Sequence, residues 1–411
     1  MRPVCEISPE IPFDCLEIIH KKIRRKELTK KELSLIIDAI YCDRLSDIHI
    51  AGFLIACAVS PLSNQEIIYL TQAMINIGQK IKWDRKVVVD KHCVGGVAGN
   101  RTSPIIVSII ASTGLYIPKI STQAITSPAG TADTMGVLTN VELSIDQIRT
   151  VVEKTSGCLA WGGHTNISPV DDLLTHIERQ LDLDYDSQLV ASILSKNIAV
   201  GATHVLIDIP VGKGIKVKTK KHALTLKSYF ENISRAFNIN TEVIITEGTK
   251  PIGKGIGPAL EAKDILYVLK NDHRAPEDLI NKACTMANKV FKMVNAKEDA
   301  YEILRSGKAW EKFQEICMAQ GGPIKDIPEA NFQYVLCATN NMQIKKISNH
   351  HIVNISKLAG APKYVESGVY LHVNVKDTVK SGQPLLTIYG HSQEHLDEAV
   401  LYATQYLKWT S

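Results

Sequence analysis

The sequence predicts an α/β protein in three parts: a discontinuous helical domain, a mixed and mostly parallel α/β sheet domain, and a small α+β C-terminal domain. Three observations lead to this prediction. The first 78 residues carry helical patterns, the middle of the chain alternates short β-branched runs with helical patterns, and the residues after Pro328 alternate like short strands with turns. A chain of 411 residues is also too long for one compact core.

The N-terminal part of the chain carries the signals of separate helices. Thr29 and Glu32 have the spacing of a capping box, in which each side chain bonds the other residue's backbone N–H. Ser63 is a favoured N-cap, and Gly78 a favoured stop, for a later helix. The predicted helices cover residues 16–23, 29–40, 48–58 and 63–78.

The middle of the chain alternates strand and helix patterns, which predicts a mostly parallel sheet with helices on its faces. Residues 171–200 interrupt the alternation with a helical block. We expect this block to join the N-terminal helices, which would make the helical domain discontinuous. The predicted strands are 86–89, 116–120, 205–209 and 241–246, and the predicted helices are 104–112, 145–155, 223–237 and 260–270.

The C-terminal part has short strand patterns at 369–373, 379–382 and 385–390, followed by a final helix at 395–407. These elements predict a separate small domain. The predicted domains are 1–78 with 171–201 (helical), 79–170 with 202–328 (α/β, phosphate-binding) and 329–411 (C-terminal α+β).

Composition narrows the class of protein. The net charge of +4 is small for this length and suits an anionic small substrate, whereas a nucleic-acid binder would show a strongly basic face. The nine cysteines show no paired spacing, and the chain has no apolar run of membrane-spanning length and no signal-peptide pattern. We therefore expect a cytoplasmic protein that binds no nucleic acid, no membrane and no metal.

The segment DKHCVGGVAGNRT, residues 90–102, follows the apolar run that ends at Val89. Gly95 and Gly96 permit backbone conformations closed to other residues and let a ligand come close, and Lys91 adds a positive charge. The pattern matches neither a Walker A loop nor GxGxxG. The sequence therefore predicts either a phosphate-binding loop or a turn needed for tight packing.

A helix begins directly after this loop, with Thr102 or Ser103 as its N-cap and Pro104 at its first position. The helix N-terminus presents N–H groups and about half a positive charge. Such an end binds anions, and phosphate is the commonest of them. This placement strengthens the phosphate interpretation.

A second segment, STQAITSPAGT at residues 121–131, follows the next predicted strand. It is rich in hydroxyl side chains and ends in Gly130 and Thr131. If the two strands are neighbours in a parallel sheet, the two segments face one crevice. Hydroxyls and backbone N–H groups would then supply neutral donors to the same anion.

Longer motifs run through these segments. They are DKHxxGGV at 90–97, GNRT at 99–102, IPKIS at 117–121, AITSPAGTAD at 124–133, ASILSK at 191–196 and GATHVLIDIPVG at 201–212. Together they resemble the thymidine/pyrimidine-nucleoside phosphorylases, and more closely the type 2 branch that holds AMP phosphorylases and bacterial putative thymidine phosphorylases. The resemblance runs from about Leu16 to the end of the chain. It implies a helical domain and an α/β domain with a cleft between them.

The resemblance also implies roles for particular residues. Phosphate would be bound by Lys91, Ser103, Ser121 and Thr131, alongside Gly95, Gly96 and Thr102 of the loop just described. The base would be faced by His92, Arg179, Ser192 and Lys196, with His92 and Lys196 acting in catalysis. In the AMP phosphorylase branch the proton donor would be Asp184, and nucleotide would be bound by Gly96, Thr122, Gln123, Ala124, Ile125, Thr126, Ser127, Thr131, Ser192 and Lys216.

Each of these residues also has an ordinary structural interpretation. Lys91 could be an exposed lysine and His92 a core histidine, while Asp184 lies in an acidic turn. Ser192 and Lys196 share a helix face that could simply be solvated, and Arg179 could pair with Glu178 or Asp182. Lys216 belongs to a basic run, and Gly253-x-Gly255-x-Gly257 is interpreted as a structural turn.

The implied reaction is phosphorolysis of a pyrimidine nucleoside or deoxynucleoside to free base and sugar 1-phosphate, with inorganic phosphate as co-substrate and no cofactor. The alternative is AMP phosphorylase, which releases base and ribose 1,5-bisphosphate. A phosphoribosyltransferase would need an acidic pyrophosphate motif that the sequence lacks, and a non-catalytic binding protein is a further alternative. A homodimer is expected.

Three departures from the family pattern bear on these expectations. Cys93 stands where thymidine phosphorylases usually have a phosphate-binding serine, and a thiol is a poor donor. Gln123 occupies a position often held by arginine, so a local charge is lost. The chain also lacks most of the extra N-terminal domain of AMP phosphorylases, which argues against large assembly.

Overall fold

The computed structural model describes residues 13–124, 127–181, 183 and 185–410, apart from the side chains of His164 and Arg179. Its helices, in chain order, are α1 Phe13–Ile23, α2 Lys30–Tyr41, α3 Asp47–Val59, α4 Asn64–Ile77, α5 Thr102–Ala111, α6 Thr131–Leu138, α7 Ile145–Thr155, α8 Pro169–Leu181, α9 Asp186–Ala199, α10 Lys220–Arg235, α11 Pro258–Leu269, α12 Glu277–Met293, α13 Ala300–Arg305, α14 Lys308–Gly321, α15 Asn349–Leu358 and α16 Gln393–Tyr406.

The strands form small sheets. A three-stranded sheet has the order β1–β4–β5, β2 pairs with β3, β8 pairs with β10, and the largest sheet has the order β6–β9–β11–β7. The strands are β1 Val89–Cys93, β2 Ile117–Ser121, β3 Gly157–Trp161, β4 His204–Val211, β5 Asn240–Glu247, β6 Gly255–Ile256, β7 Phe332–Cys337, β8 Met342–Gln343, β9 Gly368–Leu371, β10 Thr378–Val379 and β11 Pro384–Gly390.

The chain divides into two compact units. The helical unit comprises Met1–His92, Gly162–Val205 and Leu224–Val243. The second unit comprises Cys93–Trp161, Leu206–Ala223 and Ile244–Ser411.

The helical unit contains α1–α4 together with α8, α9 and most of α10. Helix α4 packs against α2 and α9, and α8 packs against α2, α3 and α4. The helices that lie far along the chain thus share a core with the N-terminal ones, which confirms the predicted discontinuous helical domain. Lys22 and Glu66 form an ion pair of 2.8 Å inside this core, with side chains 2% exposed.

Both predicted N-terminal caps of this unit are confirmed. The Glu32 N–H donates to Thr29 Oγ1 and the Thr29 N–H donates to Glu32 Oε2. The same reciprocal bonds join Ser63 and Glu66 at the start of α4. These caps satisfy N–H groups that a helix start would otherwise leave unbonded, and they fix where α2 and α4 begin.

In the second unit, β2 and β3 are parallel and in register from Ile117 opposite Gly157 to Ser121 opposite Trp161. Helix α5 is almost wholly buried and packs against both strands. Gly157 permits this close packing, because a Cβ there would lie 2.9 Å from the Ala111 side chain. This parallel pair and its buried helix are the α/β arrangement predicted from the sequence.

The C-terminal part of the second unit is the predicted α+β structure. Strands β6, β9, β11 and β7 pair in antiparallel fashion, and α15 and α16 pack together over this sheet. Strand β6 comes from the Gly253–Gly257 turn, far upstream in the chain, and α11 follows it directly. That glycine-rich segment is therefore a structural turn, as predicted.

Several predicted boundaries are wrong. The first predicted strand was placed at 86–89, but β1 begins at Val89, so Lys91 and His92 lie on a strand and not in a loop. Buried Asp90 explains the shift, because its carboxylate is bonded by backbone and amide donors and can occupy a strand. Several elements were not predicted individually, among them α6, β3, α12, α13, α14, β7 and α15. The start of α12 did carry a signal, because acidic residues follow Pro276.

None of the helices in the described residues combines the length and the apolar character needed to cross a membrane. The eight cysteines in the same part of the chain form no disulfide bonds.

Candidate active site

Strand β1 carries two of the predicted site residues within the helical unit. Lys91 is 2% exposed, which excludes the exposed-lysine interpretation, and His92 is half-buried. The preceding Asp90 accepts a hydrogen bond from the Lys91 N–H at 2.7 Å and another from the Asn197 side-chain amide. These bonds fix the backbone at the position from which the Lys91 side chain extends.

The glycine-rich turn after β1 needs its glycines, as predicted. Gly95 and Gly96 have φ of +99° and +94°, values that strain any residue with a Cβ. A Cβ on Gly96 would lie 2.9 Å from Ile215 Cβ and 3.0 Å from the Lys216 backbone nitrogen, whereas a Cβ on Gly95 would meet no atom within 4 Å. The turn therefore packs on the segment holding Lys216 at one glycine and leaves open space at the other.

The far side of the same turn is held by a buried asparagine from α15. The Ala98 N–H donates to Asn349 Oδ1 at 3.2 Å, and Asn349 Nδ2 donates to the Gly248 carbonyl at 2.9 Å. Asn349 is 1% exposed. The Ile252 N–H also donates to the Ala98 carbonyl at 3.0 Å. Two distant segments thus fix the backbone of the turn from behind.

The helix after the turn begins two residues earlier than predicted. Arg101 is the N-cap of α5, so Thr102 and Ser103 occupy its first two helical positions and Pro104 the third. The Arg101 side chain makes no capping bond and is directed to other partners. Thr102 is buried and Ser103 is half-buried at the helix end where the dipole favours anions.

Arg101 joins the two segments that the sequence analysis singled out. Its Nη1 donates to Thr131 Oγ1 at 3.1 Å and its Nη2 donates to the Ala129 carbonyl at 2.7 Å. Its Nε forms an ion pair of 2.5 Å with Glu261, whose side chain is fully buried. Burial raises the pKa of Glu261, while Arg101 opposes that shift.

The predicted reason for this proximity is wrong. In the described residues β2 pairs with β3 and β1 with β4, so the first two strands are not hydrogen-bonded neighbours. The two segments meet because the Arg101 guanidinium bonds the start of α6.

The second segment is held in shape by Asp133 at the start of α6. Asp133 Oδ2 accepts hydrogen bonds from the Ala124 N–H at 2.6 Å and the Gly130 N–H at 2.7 Å. A Cβ on Gly130 would lie 2.6 Å from the Thr122 carbonyl oxygen. The start of the segment therefore lies tightly against its end, next to Thr131.

The hydroxyl groups of this segment differ in what they can still donate. Ser121 Oγ donates to the Ala160 carbonyl at 3.1 Å, and Ser127 Oγ donates to the Ala129 carbonyl at 2.8 Å. Thr131 Oγ1 instead accepts from Arg101, which leaves its proton for a ligand. Thr131 is thus better placed than Ser121 to donate to phosphate.

Cys93 donates its thiol proton to another group. Its Sγ donates to Asp208 Oδ2 at 3.3 Å and accepts from Asn100 Nδ2 at 3.3 Å. Buried Asp208 also accepts from Thr246 at 2.6 Å and forms an ion pair of 3.2 Å with Lys282. The cysteine that replaces the family serine therefore belongs to a buried polar network.

The helical unit carries a second group of site residues on α9. Lys196 is ion-paired with Asp171 of α8, and its Nζ lies 3.4 Å from Ser192 Oγ. Burial lowers the pKa of Lys196, but Asp171 outweighs that effect and the net shift is upward. Burial raises the pKa of the adjacent Asp172 to about 6 against the opposing charge of Lys196. Lys196 is therefore a held cation and not a solvated side chain.

Some predicted residues lie outside the described part of the chain. These are Ile125, Thr126 and Asp184, and the side chain of Arg179, whose backbone lies in α8. Gln123 is exposed, while Thr122, Ala124 and Lys216 are half-buried.

The sequence analysis missed three residues that organise these groups: Arg101, Asn349 and Asp171. Arg101 stands inside the GNRT motif, so its position was visible although its partners were not. Asp171 begins the predicted helical block, and with Asp172 it lies in the first turn of α8, the usual place for carboxylates. No local signal marks Asn349, since its role depends on the fold of the C-terminal part.

Three family descriptions match the chain. The helical bundle domain of a glycosyl transferase family matches residues 16–78, and the α/β domain of the same family matches residues 85–310. A pyrimidine nucleoside phosphorylase C-terminal domain matches residues 343–408.

Curated relatives match nearly the whole chain. A protein of Ralstonia nicotianae named putative thymidine phosphorylase is 45% identical over 97% of this chain and 80% of its own length. A protein of the same name from Legionella pneumophila strain Corby is 45% identical over 96% of this chain and 77% of its own length.

A solved structure has a similar fold. Anthranilate phosphoribosyltransferase from Thermus thermophilus superposes with a TM-score of 0.61, covering 74% of this chain and 99% of that one. Its sequence identity is 16%, so the likeness concerns the fold alone.

Proposed function

The chain belongs to the glycosyl transferase family whose helical bundle and α/β domains it carries, and from that premise we propose that it phosphorolyses pyrimidine nucleosides or deoxynucleosides. It is a pentosyltransferase of the nucleoside phosphorylase kind. Relatives that are 45% identical carry the name putative thymidine phosphorylase, which favours a thymidine-type substrate.

One observation carries the proposal: Arg101 fixes the glycine turn and the Gly130–Thr131 segment to one another. Both segments have the chemistry of an anion site, with a helix start at each. The open space at Gly95 and the available proton of Thr131 add a place and a donor for phosphate.

In the proposed reaction a phosphate oxygen forms a bond to C1′ while the bond from C1′ to the base nitrogen breaks. Positive charge develops on the sugar ring and negative charge on the base. Phosphate is already an anion, so the protein needs no side-chain nucleophile, only positioning and charge stabilisation. Lys91 would hold phosphate, and Ser192 with the cation of Lys196 would stabilise the departing base.

His92 and Asp184 are proposed as the groups that donate a proton or hydrogen bond to that base. A histidine can do so near neutral pH, and an aspartic acid can do so if burial keeps it protonated.

A second candidate is AMP phosphorolysis, and the packing of Gly96 against the Lys216 backbone favours it. This contact ties Lys216 to the phosphate turn, where its charge could hold a nucleotide 5′-phosphate. The test is to supply inorganic phosphate with thymidine, uridine, AMP or CMP and to measure the free base released. Base release from thymidine or uridine is expected, and release from AMP alone would overturn the pyrimidine nucleoside proposal.

Lys91→Ala tests the phosphate site directly. We expect phosphorolysis to be abolished while the circular dichroism spectrum is kept, because the anion loses its charged partner. Lys86→Ala is the matched control, since Lys86 is exposed and precedes β1. Unchanged turnover in Lys91→Ala would remove that lysine from the mechanism.

Inorganic phosphate as the only co-substrate, without cofactor or metal, is part of the same proposal. So are a homodimeric state and a cytoplasmic location. Activity that persists after exhaustive dialysis against a chelator tests the absence of a cofactor or metal. Light scattering of the purified chain tests the homodimeric state.

A further inference from the structure

A basic pocket in the second unit lies apart from every residue assigned above. It has a volume of about 330 Å³. Its lining, hereafter the lysine pocket, consists of Glu247, Thr249, Lys250, Lys345, Lys346, Ile347, Val375 and Lys376. None of these residues is among those proposed for phosphorolysis, so the pocket requires a separate explanation.

The charges of the lysine pocket are unbalanced. Four lysines line it with a single carboxylate, Glu247, whose Oε1 accepts a hydrogen bond from Thr249 at 2.5 Å. Within the described residues, none of the four ammonium groups has an ion-pair or hydrogen-bond partner. Four lysines against one carboxylate leave a net positive charge around the pocket, which favours the binding of an anion.

The backbone that presents these lysines is firmly held. The Lys345 and Lys346 N–H groups both donate to the Trp409 carbonyl, at 2.8 and 3.3 Å. The Lys376 N–H donates to the Ile344 carbonyl at 2.7 Å. Lys376 also has φ of +83°, a conformation that a glycine would adopt at lower cost. The chain therefore keeps a lysine where a glycine would be less strained.

The shape and composition of the pocket restrict what it can bind. The lining contains no aromatic side chain on which a nucleobase could stack, and its apolar part is limited to Ile347 and Val375. Lysines bind phosphate groups as point charges, and four of them around one concave surface suit several linked phosphates better than one. The recognised chemistry is therefore a phosphate chain.

We propose that the lysine pocket binds a triphosphate chain, supplied either as inorganic tripolyphosphate or as the tail of a nucleoside triphosphate. This binding is independent of phosphorolysis and of the residues proposed for it. Loop 247–250 forms one wall of the pocket. The Gly248 carbonyl in this loop accepts a hydrogen bond from Asn349, the residue that also holds the glycine-rich turn by accepting from the Ala98 N–H.

The test is calorimetric titration of the full chain with tripolyphosphate, ATP and adenosine. The double variant Lys345→Gln/Lys346→Gln removes two of the four charges, and Lys297→Gln/Lys325→Gln makes the same change in net charge at exposed lysines outside the pocket. We expect tripolyphosphate and ATP to bind the natural chain and the control alike, adenosine not to bind, and the pocket variant to bind at least roughly tenfold more weakly.

Equal binding by the pocket variant and the control would overturn the proposal, as would failure of tripolyphosphate to bind the natural chain. Binding of ATP without tripolyphosphate would also overturn it, because recognition would then depend on the nucleoside. Lys250→Gln, which alters a different wall of the pocket, repeats the test should the double variant be poorly folded.

Discussion

The two units hold their candidate site residues by different means. In the second unit the glycine turn presents backbone and hydroxyl groups, and buried side chains such as Arg101 and Asn349 hold that backbone from behind. In the helical unit Lys196 presents its own charge, and the carboxylate of Asp171 holds it. The first arrangement depends on shape and the second on the charge of one group.

This difference suits the two tasks proposed for them. Phosphate is already an anion of fixed tetrahedral shape, so a rigid set of donors can match it before it binds. A departing base gains negative charge only during the reaction, and a side-chain cation beside it can stabilise that charge as it forms. Substitutions should therefore damage the two regions in different ways.

The largest effect is expected from Arg101→Met, which removes the link between the two phosphate segments. Glu261 would remain fully buried without its cation, a loss of about 3–5 kcal/mol in the free energy of unfolding. Urea denaturation measures this loss, and phosphorolysis should fall with it. The double variant Arg101→Met/Glu261→Met should recover much of the stability but not the activity; recovery of both would show that Arg101 has no part in positioning the segments.

Asp171→Asn tests the helical unit, because it leaves Lys196 without its paired carboxylate. We expect kcat to fall about 10- to 100-fold, since the cation loses both its position and the upward shift of its pKa. Steady-state kinetics with varied nucleoside measures the change. Asp172→Asn is the control at the adjacent position; an equal loss there would mean that general negative charge, and not the Asp171 pair, is what matters.

Asn349→Leu tests the support behind the glycine turn. It leaves the Ala98 N–H and the Gly248 carbonyl without their buried partner, a cost of about 1–3 kcal/mol. Because the loosened backbone includes the glycine-rich turn proposed to hold phosphate, KM for phosphate should rise more than kcat falls. Asn354→Leu alters the same helix at a half-buried position and should leave both constants near their starting values. A fall in kcat alone would contradict this role.

Asp264 is expected to make the stability of the second unit depend on pH. Burial raises its pKa to about 7, although the Lys254 and Gly255 N–H groups that it accepts from oppose the shift. A raised pKa in the folded state means that its stabilising effect is complete below the ordinary value of 3.8 and is lost as pH rises through about 7.

Between pH 8 and pH 5 this carboxyl should therefore add about 2 kcal/mol to the free energy of unfolding. Denaturation of the natural chain and of Asp264→Asn at pH 5 and at pH 8 measures how the difference in free energy of unfolding between the two proteins changes with pH. A difference that does not change with pH would show that Asp264 is ionised throughout.

The smallest effect is expected from Cys93→Ser, which restores the residue usual in thymidine phosphorylases. The new hydroxyl would still donate to Asp208, so the change in kcat/KM should stay within about fivefold, the equivalent of about 1 kcal/mol. A much larger gain would indicate that the hydroxyl turns from Asp208 to the substrate.

The sequence predicted the fold well wherever local signals decide the structure. Capping residues such as Thr29 and Ser63 set the starts of helices, and the alternation of patterns set the α/β part. The position of β1 was mispredicted because aspartate is uncommon in strands, and only its tertiary partners allow Asp90 in one.

The local geometry of the candidate site was predictable where a short pattern decides it, as for the positive φ of Gly95 and Gly96 and the shared helix face of Ser192 and Lys196. It was not predictable where a residue acts through a partner far along the chain. Arg101 needs Glu261, 160 positions away, and Ala98 needs Asn349, 251 positions away. Spacing in the sequence carries no information about such pairs.

Strand β6 has a practical consequence for anyone dissecting this protein. Residues Gly255–Ile256 pair with β9, so a segment well upstream of the C-terminal domain forms the edge of its sheet. A fragment starting near residue 329 would lack that edge and expose β9 to pairing with other molecules. Chimaeras that exchange C-terminal portions between relatives should therefore transfer this short strand as well.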